Sequence, residues 1–174
     1  MSFYSLLIVA HIIGTILGVG GATFAEIFHV RAMRDGTITE EEGTTLKICY
    51  TVLRIGLALL VLSGFSFLIY YRLTGQEELL YSEKLWAKMT IVFIIPINAI
   101  LFQIRKIPTW LATAVSLTSW YTALILGIYH DVSHSYLEII GLYIVAIFVV
   151  AFILHRINVH YALLREKKPE TNKT

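Results

Sequence analysis

The chain has 174 residues, 57% of them hydrophobic and only 15% charged, which leaves too little polar surface for a water-soluble domain of this size. A net charge of +2 gives no electrostatic footprint for nucleic acid, and the single cysteine, Cys49, excludes an intrachain disulfide or an all-cysteine metal site. The remaining class is an integral membrane protein, an all-α polytopic bundle whose first partner is the lipid bilayer.

The amino terminus, MSFYSLLIVAH, carries neither a basic n-region nor a small-residue cleavage site, so the first span is expected to direct its own insertion. A hydrocarbon core about 30 Å thick requires about 20 mainly apolar residues per helix, and five stretches satisfy this. The expected spans are Phe3–Phe28, Leu46–Tyr71, Leu85–Phe102, Trp110–Tyr129 and Tyr136–Leu154, within one transmembrane domain over 1–165. A polar cytoplasmic tail, expected to be disordered, follows over 166–174.

The first span holds HIIGTILGVGGATFAEIFH. At about 100° per residue, His11, Gly14, Gly18, Gly21, Ala22, Ala25 and His29 fall in one sector, a smooth groove with an imidazole at either end. Such a groove either lets another helix approach closely or admits a flat macrocycle whose iron takes an axial nitrogen from a histidine on the same face. His11 and His29 lie roughly 27 Å apart along the helix, so they cannot serve one site. His11 sits at membrane depth, where an ionisable group is a functional hypothesis by default. His29 sits at the inner boundary beside Arg31.

The loop RAMRDGTITEEEGTTLK has a turn at Asp35-Gly36 and then Thr39 with Glu42 three residues later, a capping-box spacing that predicts a helix starting at Glu40 in water. DGTITEEE has an incomplete set of oxygen ligands for a calcium loop. In the second span Arg54 is too deep for easy snorkelling, and Glu26 at the inner end of the first span is its expected structural partner. In the third span Lys88 either snorkels to water or faces inward to pair with an acidic group such as a haem propionate or a substrate carboxylate. Asn98 follows Pro96, which loosens that helix.

The fourth span has a second small face, Ala112, Ser116, Ser119, Ala123 and Gly127, ending at His130, while Trp120 and Tyr121 at its middle are candidates to line a macrocycle pocket. His130 is the candidate second ligand beside His11, and His134 follows in the outer loop HDVSH; His155 and His160 lie at the inner end with His29. The candidate metal ligands are therefore His11, His130, His134 and His29. Positive residues set the direction: Arg31, Arg34, Lys47, Arg105, Lys106, Arg156, Arg165, Lys167, Lys168 and Lys173 fall on one side, against Arg72, Lys84 and Lys88 on the other. The amino terminus is expected outside and the carboxyl terminus inside, in the cell (inner) membrane of a bacterium or archaeon. No nucleophile triad, phosphate loop or zinc signature occurs at a usable spacing.

The stretches LLIVAHIIGTILGVGGATF and EKLWAKMTIVFIIPINAIL resemble the HemJ-type membrane protoporphyrinogen oxidases and the related CopD-like copper-resistance membrane proteins, over about the first hundred residues. The resemblance implies a small helical bundle, haem b as cofactor, and functional roles for His11 and Lys88. Where the family is expected to have a further histidine after that lysine, this sequence has Asn98 and Gln103. The leading expectation is a b-type haem protein of electron transfer or oxidoreduction, with His11 as axial ligand and with Gly14, Gly18, Gly21, Trp120 and His130 around the cofactor. Lys88 is the candidate catalytic residue, and a quinone, a porphyrin or a membrane protein is the partner. A copper or other metal-ion transporter, with His130 and His134 as entry ligands, is the alternative, and a non-catalytic subunit or homo-oligomer is a third.

Overall fold

The computed structural model describes residues 2–35, 39–129 and 134–166. They form five helices, α1 (Phe3–Asp35), α2 (Glu40–Leu73), α3 (Glu83–Gln103), α4 (Thr109–Ile128) and α5 (Tyr136–Glu166), with a short 3-10 helix, Glu77–Tyr81, before α3. All five are long and apolar enough to cross a membrane, as composition predicts. Three of them overrun their expected ends. No glycine or proline stops α1 after Phe28 or α5 after Leu154, so both continue through polar residues that are good helix formers. α2 starts at Glu40, where the capping box forms as expected: Thr39 Oγ1 accepts from Glu42 N at 3.3 Å and Thr39 N donates to Glu42 Oε2 at 2.9 Å. The tail from Lys167 onward lies outside the described residues.

α1 and α2 pack antiparallel along their full length, and glycine makes this possible. A Cβ on Gly14 would stand 2.7 Å from Leu60 N, one on Gly56 2.6 Å from Gly18 N, and one on Gly21 3.2 Å from Leu53 Cβ. The pairs 11/63, 14/60, 18/56 and 21/53 have residue numbers that each add to 74, so the register runs without a slip. The opposite side of α1, with Phe24 and Ile27, is exposed and greasy, as a lipid-facing surface must be, while Ile12 and Ile16 line a cavity.

α3, α4 and α5 form the second half of the bundle. Ala87 and Ile91 of α3, Leu126 of α4, and Ile139 and Tyr143 of α5 make one buried cluster. Asn98 Nδ2 donates to Ala112 O at 2.7 Å and ties α3 to α4. Tyr143 OH meets Ser119 Oγ at 2.7 Å. The halves join where α1 meets α4: Trp120, fully buried, lies on Gly18 in a layer with Ala22, Leu60 and Ile95. α2 packs on α1, whereas α3 packs on α4 and α5, so the space between α2 and α3 is left for two cavities.

Candidate functional site

The Trp120 layer separates the cavities. The one on the amino-terminal side, about 560 Å³ and called outer after the expected orientation, is bounded by the first half of α1, the second half of α2, the first half of α3 and the end of α4; the other is called inner. Its size falls within the roughly 300–1,000 Å³ typical of small-molecule sites. Leu68, Phe93, Val92 and Leu124 make its wall mostly apolar, while His11, Thr15, Tyr71 and Lys88 supply the polar groups. His11 and Lys88, the two residues singled out in the first and third spans, thus share one chamber.

His11 is held from two sides. Its ring meets Phe67 edge-on with centroids 5.5 Å apart, and its Nδ1 lies 2.9 Å from Ser63 Oγ. The hydroxyl proton of Ser63 goes back to its own helix, 2.6 Å from Leu59 O. With that proton on Leu59 O, Ser63 Oγ accepts from His11 Nδ1–H, and we assign the tautomer that leaves a lone pair on Nε2. Such a bond fixes the tautomer and the ring, and raises the basicity of the other nitrogen. A Cβ on Gly64 would lie 4.0 Å from His11 Cε1, so the wall beside the ring is smooth backbone. Among the described residues Lys88 has no hydrogen-bond or ion-pair partner, and the cavity wall offers it no carboxylate.

The glycine groove of α1 has a different use from the one expected of a cofactor seat. Gly14, Gly18 and Gly21 do not line the outer cavity; α2 covers Gly14 and Gly21, and the Trp120 ring covers Gly18. Trp120 is likewise part of the dividing layer and not of the cavity wall, its indole filling the space that Gly18 leaves. Tyr121 points elsewhere, with its OH 3.0 Å from Thr23 Oγ1. The small residues that do line the outer cavity are Gly64, Ala123 and Gly127.

The other described histidines, His29, His134, His155 and His160, are apart from His11. His130 lies outside the described residues. His134 is exposed, 3.4 Å from Glu138 Oε2. His155 lies tilted against Trp110, with ring centroids 5.7 Å apart, and His160 meets Tyr161 edge-on at 5.9 Å. His29 lines the second, inner cavity, about 310 Å³, together with Glu26, Tyr50, Arg54, Asn98 and Thr113. Glu26 and Arg54 face this cavity without the ion pair expected between them. Among the described residues no three His, Cys, Asp or Glu side chains gather as a metal site.

Sequence reasoning missed Ser63 and Phe67, which position His11. A signal for them exists: Gly56, Leu60, Ser63 and Phe67, spaced four, three and four, form one face of α2 that matches the glycine face of α1. No protein-family model matches the chain, and no curated protein or solved structure is significantly similar to it.

Proposed function

We propose that this protein is an integral-membrane b-type haem protein of electron transfer or oxidoreduction, with the macrocycle in the outer cavity. The observation that carries the reading is His11: one imidazole, its Nδ1 bonded to Ser63 and its Nε2 left with a lone pair, lining a large apolar chamber that also receives Lys88. A bare metal ion needs three or four protein ligands, whereas a porphyrin brings four nitrogens of its own and asks the protein for one or two. A lone tethered histidine therefore suits haem and does not suit a copper path. His11 Nε2 would hold the iron, Lys88 would pair with a propionate or an acidic substrate, and the apolar wall would exclude water. Bound haem supplies a one-electron couple tuned by its axial ligand and surroundings.

Electrons would pass to or from a quinone or a membrane-protein partner, and the resemblance of the His11 and Lys88 stretches to HemJ-type proteins points the same way. The excess of arginine and lysine at the ends of α1, α3 and α5 supports an outer position for the amino terminus and for this cavity, in a bacterial or archaeal cell membrane. Protein purified from haem-replete cells is expected to show a Soret band and a sharp α band on reduction, and His11→Ala is expected to lose both while remaining monodisperse. A colourless wild-type preparation refutes the reading, and copper without porphyrin iron would favour transport.

A further inference from the structure

The inner cavity brings eight polar side chains from four helices to one place: Glu26 and His29 of α1, Tyr50 and Arg54 of α2, Asn98 and Gln103 of α3, and Thr113 and Ser116 of α4. Its depth follows from its walls. α3 has 21 residues, roughly 31 Å of helix, which just spans the hydrocarbon. The cavity touches the last turn of α3, at Phe102 and Gln103, and the start of α4, at Ala112 and Thr113. It therefore runs from the level of Ile95 to where hydrocarbon gives way to headgroups, at the end of the bundle away from His11.

Its charges are arranged for a visitor. Arg54 has no hydrogen-bond or ion-pair partner among the described residues, and it lines the same chamber as the Glu26 carboxyl without bridging to it. A guanidinium and a carboxylate on one wall, kept apart, match a molecule with an anion at one position and a hydrogen-bonding cation at another. The rest of the wall, including Ala22, Leu57, Ile95 and Leu117, is apolar. Arg54 and Tyr50 are on the exposed side of α2, next to the space between α2 and α3, so the chamber is reached sideways from lipid.

We infer that the inner cavity binds the zwitterionic headgroup of an aminophospholipid, with Arg54 and His29 on the phosphate and Glu26 on the primary ammonium. Asn98 and Thr113 contribute neutral hydrogen bonds, and the acyl chains run along the apolar seam. The inference does not depend on haem in the outer cavity.

The test uses full-length protein, delipidated in detergent and titrated by native mass spectrometry with short-chain phosphatidylethanolamine, phosphatidylcholine and phosphatidylglycerol, and with free phosphoethanolamine. The ethanolamine lipid is expected to bind about tenfold more tightly than the other two lipids, because choline has no N–H for Glu26 and glycerol has no cation. Glu26→Gln should erase the preference for ethanolamine over choline while leaving phosphate binding in place. Arg54→Gln should weaken all three lipids by about tenfold, and Arg54→Lys should restore part of the loss. Gel-filtration profile and melting temperature identify any variant that has misfolded, and Glu26→Asp then serves in place of Glu26→Gln, with the preference expected to shrink. Equal affinity for the three headgroups, or a preference that survives Glu26→Gln in folded protein, overturns the inference. Free phosphoethanolamine binding as tightly as the lipid overturns the lipid assignment.

Discussion

Replacing Gly18 by alanine tests the packing that separates the two cavities. The added Cβ would overlap Cζ3 and Cη2 of the Trp120 ring, where unstrained carbon contacts need about 3.5–4.0 Å. The indole cannot retreat, because it is 0% exposed and packed with Ala22, Leu60 and Ile95. Overpacking of this kind costs about 1–3 kcal/mol. Gly20 is the internal control: a Cβ there meets nothing within 4 Å, and alanine gains up to about 1 kcal/mol of helix propensity. Both variants gain that propensity, so it cancels, and Gly18→Ala should be less stable than Gly20→Ala by the overpacking cost of about 1–3 kcal/mol. Unfolding by sodium dodecyl sulfate in mixed micelles, followed by tryptophan fluorescence, measures the difference. Adding Trp120→Leu should narrow it, since the two positions are in contact and their effects cannot add. Equal stability of Gly18→Ala and Gly20→Ala would show that Trp120 is not seated on the α1 backbone.

Ser63→Ala removes the acceptor for His11 Nδ1 and is expected to cost about 0.6–1.7 kcal/mol of stability, the range for hydrogen bonds between membrane helices. Under the haem reading it should also lower haem affinity by about 10–100-fold without abolishing it, and Ser63→Thr should keep most of the affinity; spectra unchanged in Ser63→Ala would deny the orienting role. Arg105→Gly should raise the melting temperature, because Arg105 holds φ +56° while Lys106 N closes the α3 terminus onto Leu101 O at 2.9 Å, a conformation that costs a non-glycine residue about 1 kcal/mol. The end of α2 already has glycine in the equivalent place, with Gly75 at φ +73° and Gln76 N bonded to Tyr71 O. A lower melting temperature in Arg105→Gly would mean that the side chain contributes more than the backbone strain it brings.

Composition and length make the five spans legible, since each helix is apolar over a bilayer thickness, and Thr39 with Glu42 announces where α2 begins. The ends of α1 and α5 are not legible from hydropathy, because a helix continues into water wherever nothing breaks it. The glycine face of α1 is visible as a stripe, but small residues serve a ligand and a neighbouring helix equally well. Only the register against Gly56 and the position of Trp120 decide between them. His11 and Lys88 each stand out as ionisable residues in apolar stretches. Their meeting in one chamber depends on how two hairpins dock, for which helices far apart in the chain leave no periodic signal. Glu26 and Arg54 illustrate the converse: opposite charges at matching depth suggest a pair, yet the helices hold them on a shared wall without joining them.

Three of the bonds between helices are built alike. Ser63, Thr23 and Ser119 each spend their hydroxyl proton on a carbonyl four residues back in their own helix, at 2.6, 2.7 and 2.6 Å. Each then offers only lone pairs to a donor on another helix: His11, Tyr121 and Tyr143 respectively. Such a hydroxyl is already satisfied when its helix stands alone in lipid, so a newly synthesised span can leave the translocation machinery without an orphaned proton. The donors have no such shelter: a lone α1, α4 or α5 carries an imidazole or phenol N–H or O–H that hydrocarbon cannot satisfy. Packing α1 on α2, α4 on α1 and α5 on α4 satisfies these three donors in turn.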